Sequence, residues 1–242
     1  MKYLIDMRGV SKRFGTHWAV RDLDLAIPPG ELFGCLGPNG AGKTTTIKML
    51  AGLLRPTAGT VLVAGGDMAR NSEACRRQIS YIPDEPHLYE KLSGREFLQF
   101  TRDVYGIDLH DAEVRMARLI GQLELGSYID DLAETYSHGM RQRVAFAAAL
   151  LHEPKVLIVD EPMVGLDPKS VRIVKDLLRG AASRGAAIFM STHTLAVAEE
   201  LADRIGIFHQ GRLIRCGTLD RLKQESQTEG STLEGLFLHV TS

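Results

Sequence analysis

The 242-residue sequence predicts an α/β fold with a mainly parallel sheet, an N-terminal antiparallel β subdomain and an inserted helical subdomain. Three observations carry that expectation. Apolar runs at 32–36, 156–159, 187–190 and 205–208 have helix-period stretches between several of them, the alternation of a doubly covered parallel sheet. Residues 1–30 and 57–66 are short, alternating and turn-rich, which suits a small antiparallel layer. Between about 88 and 152 the strand signals fade, and GREFLQFTRDVYG and DAEVRMARLIGQLEL read as helices. The expected organisation is one domain over 1–242, with an α/β core at about 31–56, 67–87 and 153–225. The helical subdomain occupies about 88–152, and a polar stretch with a short apolar end forms a docked tail over 226–242.

A hydrophobic fraction of 44% is ample for a core. The 29 basic and 30 acidic side chains leave a formal charge of -1, which provides no global field for nucleic acid or a membrane surface. Cys35, Cys75 and Cys216 are odd in number and far apart, so they suit neither a disulfide framework nor a metal site, and a reducing cytoplasm is expected. The N-terminal MKYLIDMRGVSKRF lacks a signal peptide's apolar stretch, and no run approaches the roughly 20 apolar residues that span a bilayer. The chain is expected to be soluble by itself, with membrane contact only through a partner.

The sharpest chemical signal is GPNGAGKTT, residues 37–45, which fits G-x-x-x-x-G-K-[ST] between the apolar LFGCL and the helix-like KTTTIKMLAGLL. Gly37, Pro38, Asn39, Gly40, Ala41, Gly42, Lys43, Thr44 and Thr45 are therefore candidate nucleotide-binding residues. The glycines let backbone N–H groups wrap a phosphate, and the helix start adds its positive dipole end. Lys43 is placed to reach the β and γ phosphates, and the Thr44 hydroxyl to hold Mg²⁺. A plain glycine-rich turn before a helix is the alternative, which the Lys-Thr pair disfavours. The complementary acids come from KVLIVDEP, where Asp160 and Glu161 follow a buried apolar run. Asp160 is expected to order the Mg²⁺ shell and Glu161 to polarise the attacking water, although paired acids before Pro162 can also simply cap a turn. These features predict a P-loop NTPase core that binds nucleotide phosphates with Mg²⁺.

With these pieces in place the chain resembles the ATP-binding subunit of an ATP-binding cassette (ABC) transporter over essentially its whole length. YSHGMRQR, residues 136–143, is similar to that family's signature, LSGGQ followed by QR. Tyr136, Ser137, His138, Gly139 and Met140 fill its five positions, and Ser137 and Gly139 match its letters. Adjacency of Ser137 and His138 invites a nucleophile–base reading, but neighbouring side chains on one element point apart. The resemblance instead makes Ser137, Gly139 and Met140 ligands to a nucleotide held by the partner subunit, with Ser137 as helix N-cap. His138, at a small-residue position, either touches nucleotide or faces solvent. VGLD, residues 164–167, resembles the loop that crosses to the partner, and His193 in FMSTHT resembles the switch histidine that contacts the γ-phosphate. KRFG resembles the aromatic loop that stacks on adenine, nominating Phe14 with Trp18 as competitor, and Val20 as an apolar neighbour of ribose or base.

One departure stands out: in YIPDEP, Asp84 occupies the position where the family usually carries glutamine. Either Asp84 keeps a metal or water contact, or it points to solvent and its loop acts as a hinge. The resemblance implies a head-to-tail homodimer or heterodimer sandwiching two ATP, driving a separate transmembrane permease from the cytoplasmic face. The ending STLEGLFLHVTS looks like the tail of the branch serving drug, antibiotic and lipid exporters, or is an ordinary amphipathic end. Rival readings are a soluble cassette acting on DNA or the ribosome, which would bring a coiled coil or a second cassette, and a regulatory scaffold, which would have lost Glu161 or His193. Nucleic acid is not an expected partner, and cargo and transport direction are not encoded here.

Overall fold

In the computed structural model, residues 2–225 and 232–241 are described. Two sheets organise them. The smaller is antiparallel with order β2-β1-β4-β5, formed by β1 (Ile5–Phe14), β2 (His17–Ile27), β4 (Ala58–Val63) and β5 (Gly66–Asp67). Its inward row, including Ile5, Met7, Val10, Val61 and Val63, is fully removed from solvent while intervening residues stay wetter, the period-two pattern of a one-sided sheet.

The larger sheet has six strands in the order β10-β9-β3-β8-β7-β6. β3 (Leu32–Leu36), β7 (Val156–Asp160) and β8 (Ala187–Thr192) are buried at every residue, as central parallel strands covered on both faces must be. β9 (Arg204–His209) continues the parallel set, and β10 (Arg212–Gly217) closes one edge antiparallel. The other edge is β6 (Ile79–Ile82), parallel to β7. Sequence reasoning missed β6 because four residues interrupted by Ser80 give no run. That hydroxyl is tolerated in the buried layer because Ser80 Oγ donates to Ala149 O at 2.5 Å.

The helices are α1 (Lys43–Leu50), α2 (Ser72–Arg76), α3 (Gly94–Tyr105), α4 (Leu109–Gln122), α5 (His138–Leu151), α6 (Pro168–Ser183), α7 (Leu195–Leu201), α8 (Leu219–Glu225) and α9 (Leu233–Thr241). Helix α3 opens on a capping box, in which Ser93 Oγ accepts from Glu96 N at 3.2 Å and Glu96 Oε2 accepts from Ser93 N at 2.8 Å. It stops at Gly106, whose φ of 64° ends the helical ladder. Leu98 of α3, Leu119 of α4 and Val144 of α5 share one core with Val159 and Ile188 of the sheet, so the helical region is welded to the strands. The expected tail lies partly outside the described residues, but α9 is described, and its Leu233 and Leu236 pack with Leu36, Ile205 and Leu222. Among the described residues no helix is long and apolar enough to cross a membrane.

Candidate nucleotide-binding and hydrolytic site

The C-terminal ends of β3, β7 and β8 lie side by side, with Leu36 paired to Thr192 and Asp160 to Ser191. In open α/β sheets this edge is where ligands bind. The 37–42 loop leaves β3 here, and two of its glycines are required by space. A Cβ on Gly37 would stand 2.5 Å from Phe208 O, and one on Gly42 (φ 103°) 2.5 Å from Ala19 O. Lys43 is buried, and its Nζ donates to Gly37 O at 2.5 Å and Pro38 O at 3.2 Å, bracing the arch from inside. Helix α1 starts at Gly42 with no side-chain cap and no acid in its first turn, so its leading N–H groups are left for an anion. Asn39, Gly40 and Thr44 are exposed at the rim, Pro38 and Thr45 are half-buried, and Ala41 is buried as scaffold.

Asp160 closes β7 at 6% exposure, and its Oδ1 accepts from the Ser191 hydroxyl on β8. Burial pushes the Asp160 pKa up; the Ser191 hydrogen bond and the Lys43 ammonium oppose this, while Asp84 and Glu161 add to it. Glu161 follows with φ 47°, a left-handed conformation that is costly for a residue with a Cβ, held by Glu161 N donating to Ser191 O at 3.1 Å. The Oε1 of Glu161 lies 2.8 Å from Nδ1 of His193, which projects just beyond β8. Asp84 sits on an exposed loop after β6, and its Oδ1 accepts from Glu85 N at 3.0 Å. The pairing of Ile82 with Val159 brings it into Asp160's electrostatic neighbourhood. The Tyr81 hydroxyl registers both acids: burial first, then Asp160 and Asp84, push it up to about 12.

Thr44, Asp160 and Asp84 offer hard oxygen donors, and no cluster of three or more His, Cys, Asp or Glu is arranged to hold a metal among the described residues. That combination suits Mg²⁺, which keeps few protein ligands and takes phosphate oxygens from its substrate. Burial first, and then the neighbouring carboxylates Asp84 and Glu161, raise the Asp160 pKa, a setting in which a divalent cation would stabilise the ionised carboxylate.

Ser137 caps α5, its Oγ accepting from Met140 N at 3.3 Å; it is exposed, with Gly139 and Met140 half-buried. Among the described residues, no hydrogen bond links Ser137 to the 37–42 loop. The turn is anchored by Tyr136, whose hydroxyl accepts from Gly94 N at 3.0 Å and donates to Tyr128 O at 2.8 Å. His138 is exposed, as expected for a side chain facing solvent, and its Nε2 also lies 3.2 Å from Val164 O. Val20 departs from the expected contact with ribose or base. It is fully buried, with Cγ2 3.3 Å from where a Cβ of Gly42 would lie, so it supports the loop from beneath and has no face for a base. Phe14 is 50% exposed with Lys12 Nζ 5.2 Å from its ring centre, whereas Trp18 is engaged by Arg13 and Arg21 at 5.4 and 5.9 Å. Ser191 and the Tyr136 hydroxyl are supports that sequence reasoning passed over, because their partners are remote in sequence.

Against known proteins, the family described as ABC transporter matches residues 20–164, from below the phosphate loop through Asp160 and Glu161. The daunorubicin/doxorubicin resistance ATP-binding protein DrrA of Streptomyces peucetius is 41% identical over 235 residues, 97% of this chain and 70% of that protein. The chain belongs to the ABC transporter family. A further relative, the ABC transporter ATP-binding protein YhcH of Bacillus subtilis, is 40% identical over 234 residues, 96% of this chain and 74% of that one. A solved ATP-binding subunit of an ABC transporter superposes with a TM-score of 0.94 at 34% identity, covering 99% of this chain and 100% of that one. As an ABC transporter family member the chain is an ATP-binding, ATP-hydrolysing subunit serving transport, which sets aside the soluble and regulatory readings.

Proposed function

We propose that this subunit hydrolyses Mg²⁺-bound ATP at two composite sites in a head-to-tail dimer with a copy of itself or a related subunit. The movement passes to a separate transmembrane permease on the cytoplasmic face of the membrane. The Glu161–His193 pair beside Asp160 and the phosphate loop is the observation that carries this reading. Phe14 presents an open ring to adenine, while Lys43 and the α1 N–H groups hold the β and γ phosphates. Thr44 and Asp160 would hold Mg²⁺, with Asp84 in its outer field; when bound, the ion supplies charge neutralisation to the phosphates. Glu161 accepts a proton from water as its oxygen attacks the γ-phosphorus and the bond to the ADP oxygen breaks. His193 orients the Glu161 carboxylate and faces the γ-phosphate. Ser137, Gly139 and Met140 of the second subunit complete the wall.

A groove of about 260 Å³ between the loop after β6, α3 and α5 is lined by Tyr81, Pro86, Leu88, Phe97, Tyr105 and His152, with Tyr89 exposed nearby. It is the proposed seat for the permease. Export is favoured because relatives such as DrrA are named for drug resistance, and the cargo is the permease's choice. The test is size-exclusion chromatography of Glu161→Gln with ATP and Mg²⁺. A nucleotide-dependent dimer is expected, and a persistent monomer would refute the two-subunit site.

A further inference from the structure

We infer that His138 is a positioning residue that ties the signature turn to the loop after Glu161 within one subunit. Displacement of that loop then moves Ser137 and Gly139 against the partner's nucleotide. The inference rests on the two-subunit site proposed above. Its basis is a continuous series of contacts. His193 Nδ1 meets Glu161 Oε1 at 2.8 Å, and Val164 N donates to Glu161 O at 3.2 Å. His138 Nε2 then donates to Val164 O at 3.2 Å, and Met140 N donates to Ser137 Oγ at 3.3 Å. A carbonyl only accepts, so the imidazole supplies the hydrogen at Nε2, which both its Nε2–H tautomer and its cation can do.

The packing agrees. Gly165 crosses the ring in a left-handed turn (φ 73°), and a Cβ there would stand 2.9 Å from His138 Cδ2. Leu166 Cδ2 lies 3.6 Å from where a Cβ of Gly139 would be, so the loop rests on the signature at a second point. A glycine at 138 would remove both the donor and the surface on which Gly165 lies. The hydrolytic glutamate of one site is thereby bonded, through backbone, to the surface that its subunit offers to the other site.

Steady-state ATPase of the full chain separates the hydrogen bond from mere filling of space. His138→Gly and His138→Leu are expected to lower kcat about fivefold, the factor for losing one hydrogen bond, with nucleotide binding by the single subunit unchanged. His138→Gln, which keeps an N–H at similar reach, is expected to stay within about twofold of the parent. A glycine or leucine variant with parental kcat, or a glutamine variant as slow as glycine, overturns the inference. If Glu161→Gln forms its ATP-dependent dimer while His138→Gly turns over normally, only this inference falls. If no dimer forms, the two-subunit site falls and takes the inference with it.

Discussion

His193 Nδ1 and Glu161 Oε1 stand 2.8 Å apart at the ends of the neighbouring strands β8 and β7. The contact fixes a carboxylate whose backbone is already constrained by φ 47° and by its N–H bond to Ser191 O. On the proposed mechanism, removing the imidazole leaves Glu161 free to rotate away from the water it deprotonates. His193→Ala is therefore expected to lower kcat by about 10²-fold or more, with ATP binding changed far less. Single-turnover ATPase alongside equilibrium nucleotide binding checks this, and equal losses in both would assign His193 to binding.

Asp84 contributes to the elevated pKa of Asp160, so its charge is felt where the metal is proposed to sit. Asp84→Gln removes that charge. The Asp160 pKa should fall, and the acid limb of the ATPase pH profile should move to lower pH. The Mg²⁺ concentration for half-maximal activity should change as well. An unchanged Mg²⁺ dependence at every concentration would take Asp84 out of the metal's surroundings and leave its loop as a hinge.

Tyr136→Phe removes the acceptor for Gly94 N and the donor to Tyr128 O inside a buried joint. The unsatisfied backbone groups should cost about 1–3 kcal/mol of unfolding free energy in a urea titration. A loss under about 0.5 kcal/mol would show that water replaces the hydroxyl.

His152 is stacked on Tyr105 with ring centres 3.7 Å apart, and burial lowers its pKa from 6.5 to about 4. Between these values the unfolded chain binds the proton and the folded one does not. Stability should therefore fall as pH drops through that window and be insensitive to this group above it. His152→Gln should flatten the dependence of Tm on pH over the same range, and a slope equal to the parent's would exclude His152 as its source.

The central strands and the phosphate loop were legible because their signals are local. β3 and β7 are continuous apolar runs, and the Gly-Lys-Thr pattern encodes its own backbone geometry. The edges were not. β6 has four residues with a serine among them, and β10 alternates arginines with half-buried side chains, so neither presents an apolar run. Within the candidate site, residue type singled out Asp160, Glu161 and His193, which the structure brings together at the ends of β7 and β8, but not the Ser191 hydroxyl, 31 positions from the carboxylate it supports. Val20 was misjudged because an apolar side chain beneath a loop and one beside a base look alike until burial is known. The bond from His138 to Val164 O was not legible because the partner lies 26 residues ahead, in a loop with no periodic signal.

The position of β6 at the sheet edge has a mechanical consequence. Its pairing with β7 puts the lip of the groove proposed for the permease beside the strand that ends at Asp160, at the spacing of about 4.8 Å between neighbouring strands. A push on the groove need not be relayed across the molecule. On the proposed arrangement it would pass from one hydrogen-bonded neighbour to the next, through a rigid ladder that leaves little slack in which the stroke can be lost.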